Sequence, residues 1–558
     1  MYSAIDTLWM IIAIVLIFMM QAGFTMLETG FTRTKNAGNI AMKNLMDFVV
    51  GALVFWILGF GLMHSESVHG LIGKPDLFSR GDYAAGGYTG SAYLVFQIMF
   101  CATAATIVSG AMAERTKFAA YLISSAVISA LVYPIAGHWI WNERGWLHQL
   151  GFHDFAGSTA VHVVGGTAAL VGAKILGPRL GKYTKEGKSR AIPGHSMSFA
   201  VLGVFLLWFG WYGFNAGSTL TLTGDEAILT VGAIVLNVTL SAAAACFVSM
   251  LVSWRRYGKA DATMTFNGVL AGLVAITAGC NEVSAVGALC IGAIAGFAVV
   301  FAVEFIDLKL KIDDPVGAVS AHGVSGMLGT VLTGAFSVRS GFLYTGRFQF
   351  FGVQILGVLV IFLWVAVTMT VTYMVIKKTI GLRVGEEDEI RGLDESQHGI
   401  MNVYSGGHGG DYGSIPSPAD LVEQIDLDTY DEAALPEEYK KSDGKIRKVV
   451  VIMNQNRLEA LMKALDKIDI TGMTVTNVCG CGIQKGNTQY YRGAELETHL
   501  LPKVKVEIVI YTVPLALLID TVKKTIHTGR IGDGKIFVYD VARVIKVRTG
   551  EDGKEALE

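Results

Sequence analysis

The chain has 558 residues, of which 52% are hydrophobic and only 16% are charged. Such a composition is too apolar for an ordinary soluble protein of this length. The charge is also divided unevenly, because residues 1–383 carry 24 Lys and Arg against 18 Asp and Glu, whereas residues 384–558 carry 21 against 29. The sequence therefore predicts a membrane domain followed by a charge-rich soluble domain.

Eleven apolar stretches predict membrane-spanning helices. The first begins close to Ala4 with no basic residue before it, so it lacks the charged region of a signal peptide and is typical of a retained span. The predicted spans are residues 4–30, 46–64, 91–113, 118–141, 158–177, 197–217, 227–254, 264–280, 283–305, 316–337 and 351–378.

The basic residues of the loops predict how these spans are oriented. Loops after odd-numbered spans carry 19 Lys and Arg residues, among them Lys35, Lys43 and Arg115, and loops after even-numbered spans carry 5. Because basic loops stay on the cytoplasmic side, we expect the amino terminus outside the cell membrane and the soluble domain in the cytoplasm.

Two stretches of the chain repeat the pattern D-x2-G-x4-H-x-V-x-G. They place His162 and His322 eight residues beyond Asp154 and Asp314, respectively. With the predicted orientation, Asp154 lies at the outer mouth of the fifth span and Asp314 at the inner mouth of the tenth. Eight helical residues advance the chain ~12 Å, which brings both histidines close to the middle of a bilayer core ~30 Å thick.

One pattern on two spans of opposite direction predicts an inverted repeat of five spans each, with the eleventh span added. The predicted fold class of this region is therefore a polytopic α-helical membrane protein. Glycines in both stretches would let their helices approach neighbours closely; they are Gly157, Gly165, Gly166, Gly317, Gly323 and Gly326.

The repeated aspartates and histidines differ in what they predict. An aspartate at the start of a helix is most often a cap, which does not exclude a functional role. Ionisable groups deep in a span are costly, so His162 and His322 are predicted to be functional. Adjacent imidazoles in apolar surroundings resist being charged together, and their ring nitrogens suit either a small hydrogen-bonding solute or a proton relay.

Seven motifs over residues 1–405 resemble the ammonium transporter (Amt/Mep/Rh) family. They are Gln21-Ala-Gly-Phe-Thr-Met-Leu-Glu28, Lys35-Asn-Ala, Phe96-Gln-Ile-Met-Phe100, Gly110-Ala-Met-Ala-Glu-Arg115, the segment Asp154 to His162, Trp208-Phe-Gly-Trp-Tyr-Gly-Phe-Asn-Ala-Gly-Ser218, and Asp314-Pro-Val-Gly through His322-Gly-Val.

The resemblance implies a homotrimer in membrane lipid, with one pore per subunit lined by His162 and His322. It implies an outer gate of stacked Phe100 and Phe214, with Phe96 in the same motif. It also implies an outer ammonium site at Trp141 and Ser218. An aromatic face attracts a cation and a hydroxyl accepts its hydrogen bonds, although Trp141 would equally suit an interfacial aromatic belt.

We therefore expect ammonium to be recognised outside and deprotonated near Asp154, and ammonia to pass the histidines, since a bare ion in hydrocarbon is costly. Whether the proton follows separately is left open. Asp314 is expected to hold its helix. Neither a nucleophile with a base nor a metal-ligand cluster is apparent, so we predict that the chain is not an enzyme and needs no cofactor for transport. Nucleic acid is not an expected partner.

The remaining chain predicts three further parts after a membrane domain of residues 1–380. Residues 381–405 resemble the cytoplasmic regulatory tail of the same family. Residues 406–444 have the Gly, Ser, Pro, Asp and Glu composition of a flexible linker. Residues 445–558 follow the strand and helix order βαββαβ, which predicts a ferredoxin-like α+β domain, with paired strands expected within 535–547.

Four motifs within 445–558 resemble the PII signalling family: Gly480-Cys-Gly-Ile-Gln484-Lys-Gly486, Tyr491-Arg-Gly-Ala-Glu495, Leu501-Pro-Lys-Val-Lys505 and Thr528-Gly-Arg-Ile-Gly-Asp-Gly-Lys535. The resemblance implies a trimer that binds ATP, ADP or another adenine nucleotide, with Gln484 close to Mg²⁺ and 2-oxoglutarate. The candidate nucleotide and effector residues are Gly482, Gln484, Lys503, Gly532, Asp533, Gly534, Lys535, Lys546 and Arg548.

The resemblance also implies a mobile loop, the T-loop, that carries Arg492 and Tyr491 and can plug the pore of an ammonium transporter. Two positions depart from the family. Leu496 stands where the family has its modified tyrosine, and Lys546 stands where arginine is usual and so lacks the bidentate fork.

We predict that the PII domain docks on the cytoplasmic face of its own chain and gates ammonium transport, since tethering raises its effective concentration. The alternative is an ammonium-sensing receptor whose PII domain signals to other proteins.

Overall fold

The structure is a computed structural model that describes residues 2–83, 88–400, 442, 444–470, 472–480, 489–491, 494–496, 501–529 and 533–557. The chain separates into two compact units, Met1–Gly407 and His408–Glu558.

The first unit is built from apolar helices. Nine helices in the described part of the chain are long and apolar enough to cross a membrane, so the prediction of a polytopic helical membrane domain is confirmed. In chain order the helices are α1 (Ala4–Phe31), α2 (Thr34–His64), α3 (Gly90–Ala111), α4 (Phe118–Gln149, with a turn after Trp141), α5 (Ser158–Leu176), α6 (Met197–Thr219), α7 (Asp225–Tyr257), α8 (Ala262–Ile276), α9 (Ala285–Lys309), α10 (319–336) and α11 (Gln349–Thr379).

Two of the predicted spans form shorter helices. Helix α8 has 15 residues, and α10 joins a π-helical segment, Val319–Val324, to an α-helix, Ser325–Phe336. The count of eleven membrane crossings therefore stays a prediction, although each predicted stretch is helical.

Polar side chains set the starts of several helices. Ser3, Thr89, Ser196, Asp261 and Ser284 each accept a hydrogen bond from the backbone N–H three residues later. These bonds satisfy donors that the first helical turn leaves free, which is why each helix begins directly after that residue.

Helix α2 begins earlier than the hydropathy pattern predicts. The expected span starts at residue 46, whereas the helix starts at Thr34 and contains Lys43, which is only 1% exposed. Lys43 is therefore not a loop residue, as the orientation argument assumed. Its ammonium group donates to the carbonyl of Ser109 at 3.2 Å, and this bond partly offsets the cost of burying the charge.

The second unit is a four-stranded antiparallel sheet with two helices. Strands β1 (Arg447–Met453), β2 (Thr474–Gly480), β3 (Leu501–Ile510) and β4 (Gly534–Asp540) lie in the order β2-β3-β1-β4. Helix α12 (Leu458–Asp466) follows β1, and helix α13 (Leu515–Ile526) follows β3. The predicted βαββαβ order is confirmed.

The core of this unit follows from the alternation of its strands. Val449, Val451 and Met453 of β1 are fully buried, and they pair in register with Ile508, Val506 and Val504 of β3. The apolar sides of both helices pack on the same face of the sheet, through Leu461, Leu465, Leu518 and Val522.

The expected strand pairs within 535–547 are present only in part. Residues 534–540 form β4, but the following segment folds back on itself, because Lys546 N–H donates to the Glu551 carbonyl at 2.9 Å and Gly553 N–H to the Val544 carbonyl at 2.8 Å. Ile545 makes only an isolated bridge to Asp552.

Candidate functional site

The two repeated histidines meet inside the helical unit. His162 is fully buried and His322 is 2% exposed. Their Nδ1 atoms lie 3.2 Å apart, and their ring planes are inclined by 21° with centroids 5.2 Å apart. The sequence repeat thus predicted a contact between two residues that are 160 positions apart in the chain.

The repeated aspartates cap the segments that carry these histidines. Asp154 accepts backbone hydrogen bonds from Gly157, Thr159 and Ala160, at 3.1, 2.8 and 2.8 Å. Asp314 accepts from the corresponding positions, Gly317 at 3.0 Å and Val319 at 2.7 Å. Both carboxylates therefore satisfy free N–H groups, and the predicted caps are observed.

Each cap leads into a wide helical turn. Gly157 and Gly317 have φ of +104° and +79°, a region that favours glycine. The chain then continues as π-helix over Ser158–Val163 and Val319–Val324, and each histidine lies within its π-helical segment. π-Helical turns are uncommon and occur frequently at functional sites.

Glycine allows the two segments to touch. A methyl group on Gly166 would overlap the backbone of Gly323, the residue after His322. A methyl group on Gly326 would lie 2.6 Å from the Ser158 carbonyl oxygen. Only glycine at these positions brings the backbones close enough for the imidazoles to meet.

A tryptophan holds the ring of His162. Trp211 stacks on it with centroids 5.0 Å apart and planes inclined by 13°. The Trp211 indole N–H donates to Thr277 Oγ1 at 2.9 Å, so the tryptophan is itself fixed. Sequence reasoning did not select Trp211, although the residue lies in the quoted motif Trp208 to Ser218.

Two phenylalanines are stacked beside the His162 ring. Phe100 and Phe214 are stacked with centroids 4.1 Å apart and planes inclined by 19°, and both are buried. Phe96 lies against Phe100, with centroids 4.8 Å apart. Phe214 lies 5.6 Å from the His162 ring, so the stack and the histidine pair are consecutive.

Trp141 and Ser218 flank this stack. The Trp141 ring meets Phe100 edge to face at 6.0 Å, and its indole N–H donates to the Asp154 carbonyl at 2.7 Å. The Ser218 hydroxyl donates to the Phe214 carbonyl at 2.8 Å. Both donors are thus used within the protein, which leaves the indole face and the Ser218 oxygen lone pairs to interact with a cation.

The histidine contact restricts the protonation of the pair. Two Nδ1 atoms at 3.2 Å form a hydrogen bond only if one donates and the other accepts. Nε2 of His162 is buried and has no hydrogen-bond partner within the described part of the chain. The pair can therefore exchange hydrogen bonds with a small solute along its edge.

A buried ion network links the loops next to α10. Glu114 pairs with Arg33 and, at 3.2 Å, with Arg179, while Arg179 also pairs with Asp313 at 2.8 Å. All four side chains are at most 4% exposed. Burial by itself raises the pKa of Glu114, but the two arginine charges hold it at about 2. Sequence reasoning quoted Glu114 in a motif without assigning it a role.

Residues of the 381–405 tail pack on this same unit. The Lys35 ammonium donates to the Glu389 carbonyl at 2.8 Å, and Glu389 pairs with Arg383 at 2.6 Å. Asp394 accepts from the backbone N–H groups of Gly38 and Asn39, at 3.0 and 2.6 Å. The tail therefore contacts the start of α2.

In the second unit, Lys503 lies on β3, and the other described candidate residues lie at the start of β4 or in the segment that follows this strand. Lys503 donates to Asn454 Oδ1, and Asp533 accepts from the N–H groups of Thr528 and Gly529, at 2.7 and 3.1 Å. Gly534 and Lys535 open β4, and Lys535 and Arg548 are exposed. Lys546 pairs with Glu551 at 3.3 Å.

The structure describes only one of the other predicted PII residues, Tyr491, and of that residue only the backbone. The backbone of Tyr491 lies in a short strand, Gln489–Tyr491, that pairs with Ala494–Leu496. Gly482, Gln484, Arg492 and Gly532 lie outside the described residues. The exposed cations Lys535 and Arg548 suit an anionic group such as the phosphates of a nucleotide.

The chain is similar to known transporters over its first part. Residues 8–403 match the model of the Ammonium Transporter Family. Ammonium transporter Amt2 of Archaeoglobus fulgidus is 45% identical over 420 residues, covering 71% of this chain and 88% of that protein. Ammonium transporter Amt1 of Haloferax mediterranei is 40% identical over 421 residues, covering 72% of this chain and 80% of that protein.

Solved structures show the same fold. The "Sensor Amt Protein" matches with a TM-score of 0.67 and 41% identity, covering 70% of this chain and 98% of its own. Candida albicans Mep2 matches with a TM-score of 0.64 and 28% identity, covering 69% and 87%.

The second unit has its own match, because residues 446–551 fit the model of the nitrogen regulatory protein P-II. The chain thus belongs to the Ammonium Transporter Family and carries a P-II domain after its membrane domain.

Proposed function

We propose that the chain transports ammonium across the membrane by binding ammonium at Trp141 and Ser218 and conducting ammonia past His162 and His322. The observation that carries this proposal is the buried imidazole pair, with Nδ1 atoms 3.2 Å apart, directly behind the stacked Phe100 and Phe214. Family membership supports the substrate.

The route favours a neutral solute. Phe100 and Phe214 are in ring contact, so they must separate for a molecule to pass, and only apolar rings would then surround it. Ammonium would lose its hydration there without compensation. Removing the hydration of neutral ammonia costs much less free energy. Beyond the rings, the unpartnered His162 Nε2 offers a hydrogen bond to the dehydrated solute.

Ammonium flux into liposomes tests this proposal. Vesicles that contain the full chain should take up ammonium with saturation, and protein-free vesicles of the same lipid should not. Equal flux into both would refute transport. A current measured alongside the flux reports whether the proton crosses separately.

The repeat offers a matched pair for the role of Asp154. Asp154→Ala and Asp314→Ala each remove one cap, and we expect each to lower the free energy of unfolding by ~0.5–2 kcal/mol. The backbone carbonyl of Asp154 accepts from the Trp141 indole, and loss of the cap frees this backbone to move, so only Asp154→Ala should raise the half-saturating ammonium concentration. Thermal unfolding and concentration-dependent uptake measure the two effects. An equal rise in both variants would assign Asp154 a purely structural role.

For the second unit, we propose that the P-II domain binds an adenine nucleotide, with Mg²⁺ and 2-oxoglutarate as further effectors, and gates the pore. Lys503, Lys535 and Arg548 would hold the phosphates, and Gln484 would lie close to Mg²⁺. A homotrimer would bring three P-II domains to one cytoplasmic face, where Arg492 and Tyr491 of the T-loop would reach the pores. This placement rests on an outside amino terminus, as the basic loops predict.

Removal of residues 406–558 distinguishes gating from outward signalling. We expect the truncated chain to transport ammonium but to lose any response to ATP, ADP, AMP or 2-oxoglutarate, because the tethered domain is then absent. Flux with each effector added singly measures this. If none of these effectors changes the flux through the intact chain, and truncation abolishes binding of a partner protein to the P-II domain, the receptor alternative would stand instead.

A further inference from the structure

A small cavity lies next to His322, on the other side of the histidine pair from the Phe100 and Phe214 stack. His322 and Phe24, whose rings are 5.8 Å apart, line it. Leu27 and Val316 add apolar walls. Two polar side chains, Glu28 and Asn267, line it as well, and the transport mechanism above gives neither of them a role.

Glu28 is a buried carboxylate in this wall. It is 2% exposed, and Asn44 Nδ2 donates to its Oε2 at 3.2 Å. A carboxylate accepts about four hydrogen bonds when its oxygens are fully satisfied, so Glu28 retains acceptor capacity. Because burial without full pairing is costly, a carboxylate beside a pore indicates a ligand.

Asn267 provides an independent indication of a ligand. It is 5% exposed, and its Oδ1 has no hydrogen-bond partner in the described part of the chain. Unsatisfied buried carbonyl oxygens are rare because they lose their hydration. The cavity therefore carries an unpaired amide oxygen and an incompletely paired carboxylate.

The charges around Glu28 favour a cation. Lys43 and Asp47, four residues apart on α2, are buried beside it. Lys43 donates to the Ser109 carbonyl and lies 5.0 Å from the Tyr121 ring centroid. Neither Lys43 nor any other basic side chain in the described part of the chain lies within ion-pair distance of Glu28, so its carboxylate can accept a cation. The nearby Arg33 and Arg179 are already paired with Glu114.

The second carboxylate beside Lys43, that of Asp47, does not line the cavity. Asp47 accepts from the hydroxyl groups of Thr106, at 2.7 Å, and Ser125. Its oxygens are thus used within the helix bundle, and the charge that faces the cavity is that of Glu28.

We propose that this cavity is a second ammonium site, at which Glu28 and Asn267 hold the ion on the inner side of the histidine pair. Ammonium has four N–H donors, which match the carboxylate and the amide oxygen, and its positive charge would pair with the Glu28 carboxylate. The apolar walls at Phe24, Leu27 and Val316 leave no room for the hydration shell of a larger hydrated cation. This inference rests on the proposed transport function and specifies its inner binding site.

Transport from each face of the membrane tests the site. Right-side-out cells present Trp141 and Ser218 to the medium, and everted membrane vesicles present the cavity. Radiolabelled methylammonium serves as the transported probe, and unlabelled ammonium as the competitor. The half-inhibitory ammonium concentration is compared between full-length wild type and Glu28→Gln.

In everted vesicles we expect Glu28→Gln to raise the half-inhibitory ammonium concentration about tenfold, because a charge-assisted hydrogen bond is replaced by a neutral one. Asn267→Ala should raise it about threefold, because one neutral hydrogen bond is lost. Asp6→Asn is the matched control, because Asp6 is a buried carboxylate at the other end of the same helix that accepts from the Leu222 and Thr223 N–H groups, at 2.8 and 3.2 Å, and it should leave the half-inhibitory concentration unchanged. In right-side-out cells the rise should be absent.

Two results would overturn the inner site. One is an unchanged concentration for a transporting Glu28→Gln variant in everted vesicles, and the other is an equal rise from both faces. If Glu28→Gln yields no folded protein, Asn267→Ala decides, and an unchanged value overturns the proposal. If the wild type transports methylammonium from neither face of the membrane, that result would instead contradict the proposed function itself.

Discussion

Replacement of His162 by leucine is expected to reduce ammonium flux at least tenfold. Leucine is similar in size to imidazole, so the packing against Trp211 and Phe214 largely survives, but the hydrogen bond to His322 and the buried Nε2, which has no partner among the described residues, are lost. A dehydrated solute without a partner in a buried site costs ~1–3 kcal/mol, and ~1.4 kcal/mol is a factor of ten in rate. His322→Leu should behave in the same way.

Stopped-flow measurement of ammonium flux into liposomes, normalised to folded protein, gives the result. His138→Gln is the control, since His138 is also fully buried but uses both ring nitrogens on Met63 and Ser67, at 2.7 and 2.8 Å. It should lower stability and keep the flux per folded molecule. Undiminished flux in His162→Leu would show that the histidine pair is not in the conducting path.

Removal of the Glu114 carboxylate is expected to have the largest effect on stability. In Glu114→Ala, Arg33 and Arg179 stay buried without this counter-charge. Removing one partner of a buried ion pair costs ~3–5 kcal/mol, mainly because the other charge is left unpaired. The temperature of unfolding, followed by tryptophan fluorescence in detergent, should fall markedly.

Glu66→Ala is the matched control for this experiment. Glu66 pairs with Lys74 at 2.7 Å, but both side chains are about 60% exposed, and surface pairs contribute little. We therefore expect almost no change. Similar unfolding temperatures for the two variants would mean that the buried network does not stabilise the fold.

The pH dependence of the Glu114 contribution follows from its pKa of about 2. A carboxyl whose folded pKa lies below the unfolded value of ~4.3 stabilises the protein fully above that value, and the stabilisation is lost as the pH falls toward the folded pKa. The destabilisation of Glu114→Ala should therefore be constant from pH 6 to pH 8 and shrink only in strong acid.

Some features of the site were predictable because they depend on local chain geometry. The spacing between Asp154 and His162, repeated at Asp314 and His322, predicted two caps and two histidines at similar depth. Both caps are observed, and the histidines meet. A cap depends on residues within six positions, and depth depends only on the rise per residue, so both can be read from one segment.

Other features were not predictable, because hydropathy treats every charge as solvated. Lys43 was assigned to a loop, although α2 buries it beside Glu28 and Asp47. The stacking of Trp211 on His162, and the ion network of Glu114, similarly depend on side chains from helices and loops that are far apart in the sequence. Their burial is tolerated only because the partners are present.

By itself, the sequence determined the membrane domain, its repeated histidine motif, the βαββαβ order of the P-II domain and the family of each part. The first three follow from composition, periodicity and local spacing, whereas the families follow from the resemblance of their motifs. Only the tertiary structure decided that the imidazoles touch through Nδ1, that Phe100 and Phe214 are in contact, and that Glu28 and Asn267 line one cavity. The reason is physical: these contacts join side chains that are distant in the sequence, and helix packing alone sets their distances.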